Sequence, residues 1–193
     1  MHLVLMRHGE PVRDGGDPLD PELSATGVAQ ASAVLRYAVG EAFDVVYSSP
    51  QMRARQTASI VADRLGLPVV VDDGLVEFDH GAPYVHYDNA EADVWRHYLA
   101  GDLTPWGLTA ADFHARISGV VNRMAREYAG RRVLAVCHGG VINAWTCQVF
   151  GVPHRIRVME PGYASLHRFE HAVAGWRVRS LNEVPWAQPS TRK

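Results

Sequence analysis

Two short apolar runs, LVLM at 3–6 and RVLAVC at 132–137, each break off into a histidine followed by glycine. The first delivers Arg7-His8-Gly9 and the second His138-Gly139-Gly140. Short runs rich in valine and leucine, without polar alternation, mark strands covered on both faces. DVVYS (44–48) and VVVD (69–72) read the same way, with helix-period segments between the runs. Such strands separated by helices call for an α/β sheet with helices on both faces. SLHRFE (165–170) and WRVRSLN (176–182) alternate more and flank HAVAG, which predicts an antiparallel hairpin near one edge. The expected fold is a three-layer α/β/α arrangement with a mostly parallel central sheet and an antiparallel edge.

Helix signals fill the gaps. From Thr26 to Val39, Val28, Ala31, Leu35, Ala38 and Val39 form one apolar stripe, stopped by Gly40. In SSPQMRARQTASIVADRLG, Ser49 is expected at the N-cap, Pro50 at the first helical position and Gly66 just past the end. A longer helix starts at Thr109, which with Asp112 resembles a capping box. Its core stripe runs from Phe113 to Tyr128, and Gly130 ends it. Residues 11–22 are turn-rich, and 77–108 holds aromatics, histidines and acids with one short helix around Glu91–Leu99. The chain reads as one domain over 1–184 with a cap-like insertion at about 77–108, and 185–193 as a loose tail.

At 193 residues the chain can bury a full core. A net charge of -2 gives no reason to expect nucleic acid or an anionic membrane as partner. No apolar stretch approaches the ~20 residues that span a bilayer. LVLM is too short for a signal-peptide core, so the expected location is cytoplasmic. Cys137 and Cys147 are expected as buried free thiols.

Parallel strands bring their C-terminal ends to one edge, where His8 and His138 can meet. DVVYS leads to the same edge, and Arg53 lies in the first turn of the helix that follows it. Two arginines and two histidines around one point suit a phosphoryl group, which arginine grips bidentately. Glycines at helix starts also leave N–H groups free for an anion.

RHGE at 7–10, SSPQMRARQTA at 48–58, LVEFDHG at 75–81 and VCHGG at 136–140 together resemble the histidine phosphatase superfamily, phosphoglycerate mutase-like branch. LSATGVAQA at 23–31 fills that family's first-helix slot. The resemblance implies that His8 is a nucleophile that becomes phosphohistidine, and that Arg7, Arg53, His138 and Gly139 hold the phosphoryl oxygens. By the same resemblance His138 stabilises the transition state and Glu77 gives the leaving oxygen its proton. Two arginines supply the positive charge, so no metal and no cofactor are expected.

The chain departs from the family's pattern at RHGEPVRD, where Asp14 stands in place of a phosphate-donating asparagine, and at Asp79-His80. Asp14, His80 and Tyr84 are the candidates for substrate contact. The leading expectation is a phosphatase acting on a small phosphorylated metabolite. A phosphoglycerate mutase, a phosphohistidine protein phosphatase and a non-catalytic phospholigand-binding protein are the alternatives. MEPGYASLHRF is expected either to pair as an edge strand in a homodimer or to end the sheet.

Overall fold

In the computed structural model, residues 1–38, 40–86 and 93–185 are described. One mixed sheet contains β1 (His2–Arg7), β2 (Val45–Ser48), β3 (Val69–Val71), β4 (Arg132–Cys137), β5 (Leu166–Ala172) and β6 (Gly175–Glu183). The strand order is β3-β2-β4-β1-β5-β6. Strands β3, β2, β4 and β1 are parallel, whereas β5 and β6 add on antiparallel. The helices are α1 (Ala25–Ala38), α2 (Met52–Leu65), α3 (Asp93–Ala100), α4 (Ala110–Glu127) and α5 (Gly139–Val149).

Strand alternation sorts the side chains into two cores. Val4, Met6, Leu134 and Val136 pack with Val34 of α1 and Ala54, Ala58 and Val61 of α2. Leu3, Leu5, Val133 and Ala135 pack with Phe113, Ile117 and Val121 of α4 and Val141 and Trp145 of α5. Both faces of the central strands β1, β2 and β4 are therefore covered, as their apolar runs require. Phe78 ties the segment after β3 to this second core. It stacks on Tyr98 of α3 at 4.7 Å between centroids and meets Trp106 and Phe113 edge-on.

Four local expectations need correction. Strand β3 is not buried on both faces: Val70 is 37% and Val71 49% exposed, because this three-residue strand is terminal and has a single neighbour. In α1 the buried face is Gly27, Gln30, Ala31 and Val34, while Val28 is 44% exposed. Gly27 and Gln30 face inward because the backbone leaving β1 lies against them. A Cβ on Gly9 would come within 2.5 Å of the Gly27 carbonyl oxygen, and Gln30 Oε1 accepts from the Glu10 N–H at 2.9 Å. Val39 and the side chains of Leu35 and Ala38 lie outside the described residues, as do Glu91, where α3 was expected to begin, and the tail from 186. MEPGYASLHRF does not supply an edge strand, since β5 runs between β1 and β6.

The fourth correction concerns the start of α2. Ser49 is not its N-cap and Pro50 precedes the helix; Gln51 takes the cap position without a side-chain bond. The cap comes from the 11–22 loop, where the Asp20 carboxylate accepts from the Met52 N–H at 2.8 and 3.0 Å. The C-terminal signals of α2 and the N-terminal signals of α4 hold. Gly66 closes α2 in the left-handed region (φ 67°), and Thr109 and Asp112 form a full capping box. Asp20→Ala should lower stability by about 1 kcal/mol, the usual cost of a lost N-cap, as a shifted urea midpoint at an unchanged slope.

Candidate active site

Register brings the pieces together. Arg7 pairs with Cys137 across β1 and β4, so the next residues, His8 and His138, are neighbours with ring centroids 5.1 Å apart. Ser48 pairs with Val136, which places Ser49 beside them on the third strand. All three strands end at this edge. Among the described residues, Arg7, His8, Arg53, Glu77, His138 and Gly139 line one pocket of about 40 Å³.

The His8 ring is held in one tautomer. Its Nδ1 lies 2.7 Å from the Gly9 carbonyl oxygen, which can only accept, so Nδ1 carries the proton and Nε2 the lone pair. The Nε–H of Arg53 points at that Nε2 from 3.3 Å. Burial, reinforced by Arg53 and Arg7, pushes the His8 pKa well below the usual histidine value. His138 is depressed in the same direction by burial, Arg53, His8 and Arg7. Both imidazoles are therefore neutral at pH 7, and His8 presents its Nε2 lone pair to the Arg53 N–H. His138 Nε2 contacts the Ser49 hydroxyl at 2.8 Å, and its buried Nδ1 has no hydrogen-bond partner among the described residues.

The arginines are walled by tyrosines. Arg7 lies 4.3 Å over the ring of Tyr163 and Arg53 4.5 Å over that of Tyr84, and the two phenol oxygens are 3.3 Å apart. Arg7 Nη1 also donates to the Pro161 carbonyl. The loop carrying Pro161 is pinned from two sides. Asn143 of α5 donates to Met159 O and accepts from the Val158 and Met159 N–H groups. Asn182 of β6 accepts from the Gly162 N–H at 2.8 Å and donates to Glu160 O. Beside His8, Ala164 sits in the left-handed region (φ 50°) and its N–H donates to the His8 carbonyl oxygen. That backbone state costs a non-glycine residue about 1–3 kcal/mol, borne by the surrounding packing.

Under this clamp His167 is fully buried. Its Nδ1 accepts from the Asn182 N–H at 3.2 Å, so the Nε2–H donates to Ser165 Oγ. Burial, with Arg7 nearby, lowers its pKa to about 3. Between pH 3 and the unfolded value of about 6.5, the unfolded chain binds a proton at this site that the folded chain does not. The neutral ring's stability contribution is complete above pH 6.5 and declines as pH falls through that window, by about 2 kcal/mol at pH 5. His167→Gln should flatten the fall in melting temperature between pH 7 and pH 5; an unchanged slope would contradict this reading.

Glu77 stands opposite the histidines. Its Oε2 accepts from the Gly140 N–H at 2.7 Å, its Oε1 from the Phe78 N–H at 3.0 Å, and its own N–H donates to Gln51 Oε1. Glycine is required at 140, because a Cβ there would lie 2.3 Å from Glu77 Oε1 and 2.8 Å from the Phe78 ring. Burial, then the nearby Asp79, raise Glu77 to about 7 against the pull of its two N–H bonds and Arg53. A carboxyl poised there can both give and take a proton at neutral pH.

The substrate-contact candidates divide. Tyr84 lines the pocket, whereas Asp14 and His80 are exposed and do not. Sequence reasoning gave no site role to Ser49, Thr57, Asn143 or Tyr163. Thr57 lies one turn after Arg53 on the same face, donates to Arg53 O and accepts from the Gly9 N–H at 3.0 Å. For Ser49 and Thr57 the strand end and the i+4 spacing were available signals; Asn143 and Tyr163 carried none. No group of His, Cys, Asp and Glu able to hold a metal is found among the described residues, and no helix there is long and apolar enough to cross a membrane. Cys137 and Cys147 are free and buried.

The sequence profile of the histidine phosphatase superfamily (branch 1) matches residues 3–184. The chain belongs to this family. Phosphohistidine chemistry is general to it. Within the family, the chain is 29% identical to phosphoserine phosphatase 1 of Hydrogenobacter thermophilus, over 78% of this chain and 76% of that one. It is 32% identical to the 2,3-bisphosphoglycerate-dependent phosphoglycerate mutase of a Methylobacterium species, over 74% and 77% of the two chains. In three dimensions it is similar to a mycobacterial glucosyl-3-phosphoglycerate phosphatase, whose structure was determined with VO3 (TM-score 0.77, 26% identity, 94% and 98% covered).

Proposed function

We propose that this histidine phosphatase family member hydrolyses a phosphomonoester of a small metabolite by way of phosphohistidine on His8. The observation that carries the reading is the lone pair of His8 Nε2, fixed by the Nδ1–Gly9 bond, in a pocket that two buried guanidinium groups share. Arg7 and Arg53 offset the two negative charges of a phosphate ester without a metal ion, so activity should survive excess chelator. His8 Nε2 attacks phosphorus, the P–N bond forms, and the P–O bond to the leaving alcohol breaks. Protonated Glu77 gives its proton to the departing oxygen. Water then attacks the phosphohistidine, Glu77 takes a proton from it, and the P–N electron pair returns to Nε2. His138 Nδ1 is an uncommitted buried group for a phosphoryl oxygen, with Ser49 holding the ring from the other side.

The likeness to the glucosyl-3-phosphoglycerate phosphatase, which runs along nearly the full length of both chains, supports hydrolysis. The two free thiols suit a reducing, cytoplasmic setting. Incubation with 3-phosphoglycerate separates the two activities. Release of inorganic phosphate is expected; 2-phosphoglycerate as the main product would replace the phosphatase with a mutase.

A further inference from the structure

Three carboxylates line the pocket among the described residues: Glu77, Asp79 and Glu160. Both Glu77 oxygens accept backbone N–H groups, and Glu160 pairs with Arg157. Asp79 differs: its Oδ1 is buried and has no hydrogen-bond partner among the described residues. A buried carboxylate oxygen left without a donor carries a desolvation cost that a ligand donor would relieve. Its position is informative, because Asp79 follows by two residues the group that protonates the leaving oxygen.

Charge sharpens the reading. In the free site, burial pushes the Asp79 carboxyl up, while Arg53, its own backbone N–H, His80 and Arg7 favour its anion. A bound phosphoryl dianion engages Arg7 and Arg53, and Asp20 already lies 3.6 Å from Arg53 Nη1. With both guanidinium groups turned to the phosphoryl oxygens, less of their charge is left for Asp79, and a donor brought by the substrate would compensate its unpartnered oxygen.

We propose that Asp79 is a specificity residue that accepts a hydrogen bond from a hydroxyl or ammonium group on the alcohol portion of the substrate. The inference rests on the phosphatase reading and narrows it to phosphate esters of polyols and amino alcohols, their carboxylated forms included. Plain alkyl and aryl phosphates lack the donor and leave Asp79 unmatched.

The test separates binding from chemistry. In the His8→Ala protein, calorimetry gives dissociation constants for 2-aminoethyl phosphate, 2-hydroxyethyl phosphate and propyl phosphate, which have the same number of heavy atoms. The two donor-bearing ligands should bind at least tenfold tighter than propyl phosphate, and adding Asp79→Ala should bring all three within threefold. Adding Asp79→Asn instead preserves an acceptor without the charge. It should keep the hydroxyl preference and cut the extra affinity for the ammonium ligand, which guards against a folding defect in the alanine variant. Equal binding of the three by the His8→Ala protein, or a preference that survives Asp79→Ala, would overturn the assignment. Phosphate release from p-nitrophenyl phosphate by the unsubstituted protein reports separately on the parent reading. Absence of release there would remove the phosphatase while leaving the binding contrast to decide Asp79.

Discussion

His8→Ala should abolish phosphate release from p-nitrophenyl phosphate, with a loss on the order of 10⁴-fold or more, and no acid-labile phosphoenzyme should be trapped. The size follows from the arrangement. Among the described residues lining the pocket, the only other imidazole is His138, whose Nε2 is held by Ser49 and whose Nδ1, in the proposed mechanism, goes to a phosphoryl oxygen. Removing His8 also deletes the acceptor of the Arg53 Nε–H while leaving both guanidinium groups in place. The variant should therefore still bind inorganic phosphate. Retained binding with lost chemistry is the pattern of a missing nucleophile; loss of both would point to collapse of the arginine clamp. Full turnover in this variant would defeat the phosphohistidine mechanism.

Glu77→Gln should slow phosphoenzyme formation from alkyl phosphates by about 10²- to 10⁴-fold, the usual range for lost general acid catalysis. Aryl phosphates should lose far less, since an aryl oxide departs without much protonation. The pH dependence adds a second reading. With its pKa raised to about 7, Glu77 is protonated and competent as an acid below that value and loses its proton above it. Rapid-quench measurements on the unsubstituted protein should show phosphoenzyme formation from an alkyl phosphate falling as pH rises through about 7. The glutamine variant should be flat over the same range. Equal losses for alkyl and aryl substrates would take Glu77 out of the acid role.

The parts of the site legible in the sequence are those that depend on strand ends. Short apolar runs fixed which residues sit at the sheet's C-terminal edge, so Arg7, His8, His138 and, one helix turn further, Arg53 could be placed together. What pattern could not show were partners distant in sequence. Ser49 has the residue type and spacing of an N-cap, yet its hydroxyl faces His138, and Asp20, 32 residues before Met52, caps α2 instead. Val28 fits an apolar stripe, but the inward face of α1 is set by backbone contact at Gly27 and a buried amide at Gln30, neither of which is apolar. Asp14 and His80 illustrate the same limit. Their departure from the family pattern was visible in sequence, whereas their exposure depends on how two turn-rich segments fold over the site.

The clamp on Pro161 also orders events in time. Arg7 is synthesised well before the loop it donates to, and one of the two anchors of that loop is Asn182, near the end of β6. A growing chain carrying His8, both guanidinium groups, Glu77 and Asn143 still lacks the Asn182 side of the brace on the Arg7 grip. Catalytic competence is therefore expected only once the β5–β6 hairpin has formed, and nascent chains stalled before it should be inert toward phosphate esters.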